Sequence, residues 1–110
     1  YQTHDLFEAM KHDGLRPKIV KVDGGMVMNN WFSQFLSDIV NVKVLRPKVQ
    51  ETTALGAAFM AGLHLGIYKS LKDISKNWNL DKKFSPKMKN KSRTILINGW
   101  EKAVKRALIN

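Results

Sequence analysis

Ile19-Val20-Lys21-Val22-Asp23-Gly24-Gly25-Met26-Val27-Met28-Asn29-Asn30 is the stretch whose reading decides the fold. Its first residues are rich in β-branched side chains and predict a strand over 18–22 entering a core. Downstream, Trp31, Phe32, Phe35, Leu36, Ile39 and Val40 recur at helical spacing and predict a helix over about 30–40. Between the two lie a pair of glycines and a pair of asparagines, either of which can cap the helix by accepting from an orphan N–H. A strand that turns through Gly24-Gly25 into a capped helix presents bare backbone N–H groups at a helix N-terminus. Such an end favours anions and lets a ligand approach the main chain closely. Two readings are open: a tight βα connection, or a nucleotide or phosphate site.

The 110 residues suffice for one domain with a modest core. No cysteine is present, which excludes disulfides and thiolate metal sites. His4, His12 and His64 fall at no ligand spacing with carboxylates, so no metal site is expected from this chain alone. The longest apolar run, at 54–63, is far short of the ~20 residues of a membrane span, and a soluble, cytoplasmic protein is expected. A net charge of +10 raises nucleic acid or an anionic surface as partner. Its distribution argues otherwise: residues 1–68 carry seven basic and six acidic side chains, whereas 69–110 carry twelve and three. The lysines of that tail lack the interleaved aromatics of a stacking platform, so a solvated lysine-rich surface is expected rather than specific nucleic-acid binding.

Along the chain, Leu6, Phe7 and Met10 share one face of a helix over about 1–12, which Asp13-Gly14 closes. The sequence opens inside that helical pattern, which leads us to expect a piece of a longer protein. Arg16-Pro17 then breaks the helix ahead of the strand. The helix over 30–40 sets Ser33, Gln34, Ser37 and Asp38 opposite its apolar face and ends at Asn41. Lys43-Val44-Leu45 reads as a short strand at or near a sheet edge, because Arg46-Pro47 follows directly. Thr52 or Thr53 is expected to cap a helix over about 53–67 that Gly66 ends. Ala54, Ala57, Ala58, Ala61 and Gly62 give this helix a face small enough for another helix to approach, with Leu55, Phe59, Met60 and Leu63 packing the other side. Gly56 and Gly62 each cost about 1 kcal/mol of helix propensity, which points to close packing or to a ligand.

Beyond it, 70–78 is helix-prone, and 79–91 reads as an extended polar surface loop. A last helix, from 92 or from Gly99 to 108, carries Trp100, Ala103, Val104 and Ala107 on one side. This is an α/β layout with two strands, too few for an independent sheet, so the sheet is expected to be incomplete. The shift in charge divides the chain into 1–68 and a basic extension, 69–110, with the terminal helix.

The run from Val22 to Asp38 closely resembles the adenosine-binding segment of glycerol kinases, members of the carbohydrate kinase family with the actin-like, ribonuclease H-like ATPase fold. The likeness continues through Val44-Leu45-Arg46-Pro47 and Glu51-Thr52-Thr53-Ala54-Leu55-Gly56-Ala57-Ala58, then Phe84-Ser85-Pro86, Gly99-Trp100 and Ala103-Val104-Lys105-Arg106, in collinear order. Pentulose kinases share the Gly-Gly turn and the Ala-Leu-Gly-Ala-Ala helix; the double Asn and the late Gly-Trp are more like the glycerol branch. The resemblance implies phosphorylation of glycerol to glycerol 3-phosphate by ATP with Mg²⁺. It places Gly24 and Gly25 against the nucleotide, where a Cβ would collide, and the Asn29 side chain on the adenosine portion. It makes 53–63 the helix that links two lobes, its small face hinging during closure.

The same resemblance places the catalytic aspartate, the phosphate-binding hairpin, the main glycerol contacts and most of the Mg²⁺ site outside this sequence. No catalytic residue is therefore expected here, and the isolated chain is expected to be inactive without the N-terminal kinase lobe. A homo-oligomer is compatible with this reading. Asp23 reads as a structural acceptor bracing the Gly-Gly turn, and Glu51 as a cap-region residue. Two other readings stand beside it: an inactive remnant of a split kinase gene, and a basic module whose 69–110 tail grips an anionic partner with steep salt dependence.

Overall fold

The computed structural model describes residues 1–109. Helix α1 (Gln2–His12) ends at Asp13, and Gly14 at φ +84° turns the chain toward strand β1 (Ile19–Lys21). A short 3₁₀ turn (Gly25–Met28) leads into α2 (Asn30–Val40), which stops at Asn41 in the left-handed conformation, φ 56°. Strand β2 (Lys43–Pro47) returns beside β1, parallel to it, with Ile19 opposite Lys43 and Lys21 opposite Leu45. Helix α3 (Thr52–His64) and the five-residue α4 (Leu71–Ser75) follow. Strand β3 (Leu80–Phe84) then pairs antiparallel with β2, and α5 (Asn90–Leu108) closes the chain.

The fold is therefore mixed α/β around a three-stranded sheet of order β1-β2-β3. Three sequence expectations are corrected here. Strand β2 is the central strand rather than an edge; Pro47 is tolerated because it is the last residue of the strand, where the ladder ends. Residues 80–84 are not loop: the charged run Asp81-Lys82-Lys83 suits an outer strand whose far edge meets solvent, and imitates a polar loop in sequence. Neither threonine caps α3 by its side chain. Glu51 holds the cap position without a side-chain bond, and the Thr52 hydroxyl turns instead to Asp23.

The core comprises Phe7, Val27, Ile39, Val40, Val44 and Phe84. Its most enclosed polar members come from α2, whose polar side is buried along with Ile39 and Val40 of its apolar side, rather than facing solvent as expected. Ser33 and Ser37 are 0 % exposed against the sheet, while Trp31 on the apolar side is 69 % exposed. Small hydroxyl side chains let the helix approach closely and satisfy carbonyls on arrival: Ser37 Oγ donates to Val42 O at 2.7 Å and to Phe84 O at 3.3 Å. The buried Asp38 carboxylate accepts from the Lys87 and Met88 N–H groups, and the Arg93 guanidinium donates to Asp38 O and Met88 O. This polar seam fastens the start of α5 to α2.

Helix α3 contrasts with it. Gly62 is its one buried residue, lying under the Tyr68 ring; a Cβ there would sit 2.8 Å from the ring carbons. Ala54, Ala57, Ala58 and Ala61 face solvent. No helix among the described residues is long and apolar enough to cross a membrane. On α1, the Lys11 ammonium lies 2.5 Å from Glu8 and, chiefly through that hydrogen bond, holds the Glu8 carboxyl below its ordinary value.

Candidate functional site

The Gly-Gly turn sits at the C-terminal end of β1, where strand passes to helix. Gly24 adopts φ 86°, ψ 169°, a region essentially reserved for glycine. Gly25 is under no such backbone requirement, and a Cβ there would meet no protein atom within 4 Å. The turn then closes on itself, with Val27 N–H donating to Gly24 O at 3.3 Å and Asn29 N–H to Met26 O at 3.2 Å. Asn29, extended at φ −69°, ψ 111°, caps α2: its Oδ1 accepts from Phe32 N–H at 3.1 Å. The expected bare helix end is thus partly closed by its own cap, and what faces outward is the turn itself.

The inner side of the turn is locked. Val27 O accepts from Ser33 Oγ at 2.8 Å and from Arg46 Nη1 at 2.9 Å. The same Nη1 donates to Met28 O at 3.1 Å and to Asn30 Oδ1 at 3.2 Å, while Arg46 Nε donates to Asp81 Oδ2 at 2.7 Å. Arg46 also lies over the Phe84 ring, 5.5 Å from its centroid. Outward, Gly25, Met26, Met28 and Asn29 are exposed. The arrangement is a rigid backbone edge whose outer surface is free of bulky side chains at Gly24 and Gly25 and carries one amide, the Asn29 NH₂, that donates to no other group among the described residues.

Two depressions flank this edge. A cleft of about 140 Å³ is lined by Lys21, Val22, Asp23, Pro47, Thr52 and Trp78. Inside it the Asp23 carboxylate accepts from the Thr52 hydroxyl, and Lys21 Nζ sits 4.1 Å from the Trp78 ring centroid. Asp23 is therefore a structural acceptor, and the bond it accepts ties the turn to the start of α3. A wider groove of about 570 Å³ runs on the other side between α1, α2 and α5, lined by aromatic side chains. Tyr1 stacks on Trp100 at 5.6 Å, Trp31 stacks on Phe35 at 5.0 Å, and Trp100 Nε1 donates to Asp5 at 2.7 Å.

Gly24, Gly25 and Asn29 thus occupy one hydrogen-bonded turn. Sequence reasoning missed the groups that hold it, Arg46 and Asp81. An arginine placed inside a β-branched run was the available signal for the first; the second lay in a segment read as loop. No three His, Asp or Glu side chains come together to hold a metal ion among the described residues.

Residues 1–65 match the family described as the FGGY family of carbohydrate kinases, C-terminal domain. The chain is 54 % identical over 106 residues to glycerol kinase 1 of Pseudomonas aeruginosa, covering 96 % of the chain and 22 % of that relative. It spans about a fifth of the length of the curated relatives it matches. Among solved structures, the Plasmodium falciparum glycerol kinase with ADP superposes with a TM-score of 0.80 at 38 % identity, over 99 % of this chain and 22 % of that one. A ligand-bound xylulose kinase from Lactobacillus acidophilus superposes with a TM-score of 0.69 at 24 % identity over 86 % of this chain and 19 % of that one, a likeness of fold.

Proposed function

The chain belongs to the FGGY family of carbohydrate kinases, and from that premise we propose that it is the C-terminal, nucleotide-binding segment of a kinase that phosphorylates glycerol with ATP. The observation that carries the reading is Gly25. Neither a protein contact nor a positive φ accounts for its missing side chain, and the outer edge of the turn is left open to a ligand. A nucleotide lying along that edge fits the space. Gly24 and Gly25 give its adenosine end access to the main chain, and Asn29 serves twice: Oδ1 stays in the helix cap while the NH₂ faces the ligand.

Bound ATP supplies the phosphoryl group that passes to the glycerol hydroxyl. This segment's part is to bind and orient the far end of the nucleotide. The catalytic aspartate and the residues that hold Mg²⁺ belong to the rest of the kinase, and the isolated chain is inactive on this account. Residues 1–68 form part of the ATP lobe, with 69–110 as its basic extension.

The test uses the full-length kinase carrying this segment. Gly25→Val should raise KM for ATP by more than about tenfold through collision, while the KM for glycerol stays put. Asn29→Ser preserves an acceptor for the α2 cap but removes the amide donor, and should weaken ATP binding by about 0.5–1.5 kcal/mol. Unchanged ATP affinity in Gly25→Val would remove the nucleotide from this turn.

A further inference from the structure

We propose that Arg46, aimed by Asp81, is a positioning residue for the nucleotide turn, so that the late strand β3 sets the shape of a site to which it contributes no contact. This rests on the reading of the turn as the nucleotide edge.

A guanidinium that is 6 % exposed is costly to bury unless its donors are matched. Those of Arg46 are matched asymmetrically: three of its four partners belong to residues 27, 28 and 30, and the fourth is Asp81. The two carbonyls at Val27 and Met28 are successive, and drawing both inward fixes the orientation of the peptide planes that present the outer edge. An apolar residue of similar volume fills such a space as stably as a buried ion pair often does. It cannot hold two carbonyls in register. Recruiting an arginine here is therefore explained by orientation rather than by packing.

Asp81 reaches Arg46 only through an irregularity in the sheet. Arg46 pairs with Lys82 and Pro47 with Leu80, which leaves Asp81 as the extra residue on β3. In an unbroken ladder, side chains alternate between faces, and Asp81 would point away from the face shared by Arg46 and Lys82. A bulge re-aims the side chain. It brings the Asp81 carboxylate to 2.7 Å from Nε, leaving Nη1 to the turn. Ser33, already bonded to Val27 O, holds only one of the two carbonyls and leaves Met28 O to Arg46 alone.

The experiment compares Asp81→Ala, Arg46→Lys and the double variant in the full-length kinase, with Lys83→Ala on the same strand as control. Asp81→Ala should raise KM for ATP about three- to tenfold with KM for glycerol held within about twofold, since only the nucleotide edge is displaced. Arg46→Lys, which keeps the charge but loses the fork, should raise it further. Adding Asp81→Ala to Arg46→Lys should raise it no more, because Asp81 acts through the guanidinium. Amide exchange across residues 25–32 should quicken in each variant, and Lys83→Ala should match the parent in both measurements. A purely structural role would lower the melting temperature and leave the KM for ATP where it was. That result, equal rises for both substrates, or multiplying effects in the double variant would each overturn the proposal. If Gly25→Val raises the KM for ATP and these variants do not, the positioning role falls while the nucleotide reading stands. If Gly25→Val has no effect, both fall.

Discussion

Helices α2 and α3 are both largely apolar, and they are seated in opposite ways. Of the 11 residues of α2, five are buried, two of them serines and one an aspartate whose side chains bond to the 3₁₀ turn, to β3 and to the segment that leads into α5. Of the 13 residues of α3, one is buried, and its polar tie is Thr52 to Asp23 at the first turn. Hydrophobicity alone does not decide which helix this chain can bury. The helix with small polar side chains found acceptors within the 110 residues; the alanine-rich one leaves its small face exposed.

The sharpest way to break this contrast is at Ser37. Ser37→Val leaves Val42 O and Phe84 O without their hydroxyl donor and forces volume into a fully enclosed position. Unfolding in urea should show a loss of about 2–4 kcal/mol. A neutral result would mean that α2 is held by its apolar side after all. Gly56 probes α3 in the other direction. A Cβ there meets nothing within 4 Å, so Gly56→Ala should stabilise the 110-residue chain by about 0.5–1 kcal/mol through helix propensity. The full-length kinase should not share that gain if a neighbour packs at Gly56, on the side of α3 that carries Leu55, Phe59, Met60 and Leu63. A gain of equal size in both proteins would refute close packing at Gly56.

How far the sequence showed this depended on whether a signal was local. The Gly24-Gly25 turn, the Asn29 cap and the stop at Asn41 were readable because each rests on residues within one turn of the chain. The burial of the polar side of α2 was not, because serine reads as surface until the carbonyls of residues 42 and 84 are known to lie beneath it. Strand β3 was hidden by Asp81, Lys82 and Lys83, whose charges suit an outer strand as well as a loop. Arg46 was taken with Pro47 as a strand terminator, and its partners lie 16 to 35 residues away.

The smallest expected effect gives the floor against which both helices are measured. Glu8 on α1 has a folded-state value below its ordinary 4.5, so its contribution is present above that value and fades as pH falls through the lower, folded one. The pair with Lys11 is exposed, and Glu8→Gln should cost only about 0.2–0.5 kcal/mol at neutral pH, vanishing in acid. A pH-independent loss of that size would point to packing rather than charge.

The place of β3 in the chain has a consequence for synthesis. Asp81 emerges from the ribosome 35 residues after Arg46, and until it does, β2 has one unpaired edge and the carbonyls at 27 and 28 have an arginine whose other side is unsecured. At roughly 5–20 residues per second the interval lasts a few seconds. During it the nascent chain exposes a raw strand edge of the kind that pairs with other chains. A polypeptide released before residue 80 would keep that edge permanently, so a premature stop there is expected to yield aggregate rather than a shorter soluble product.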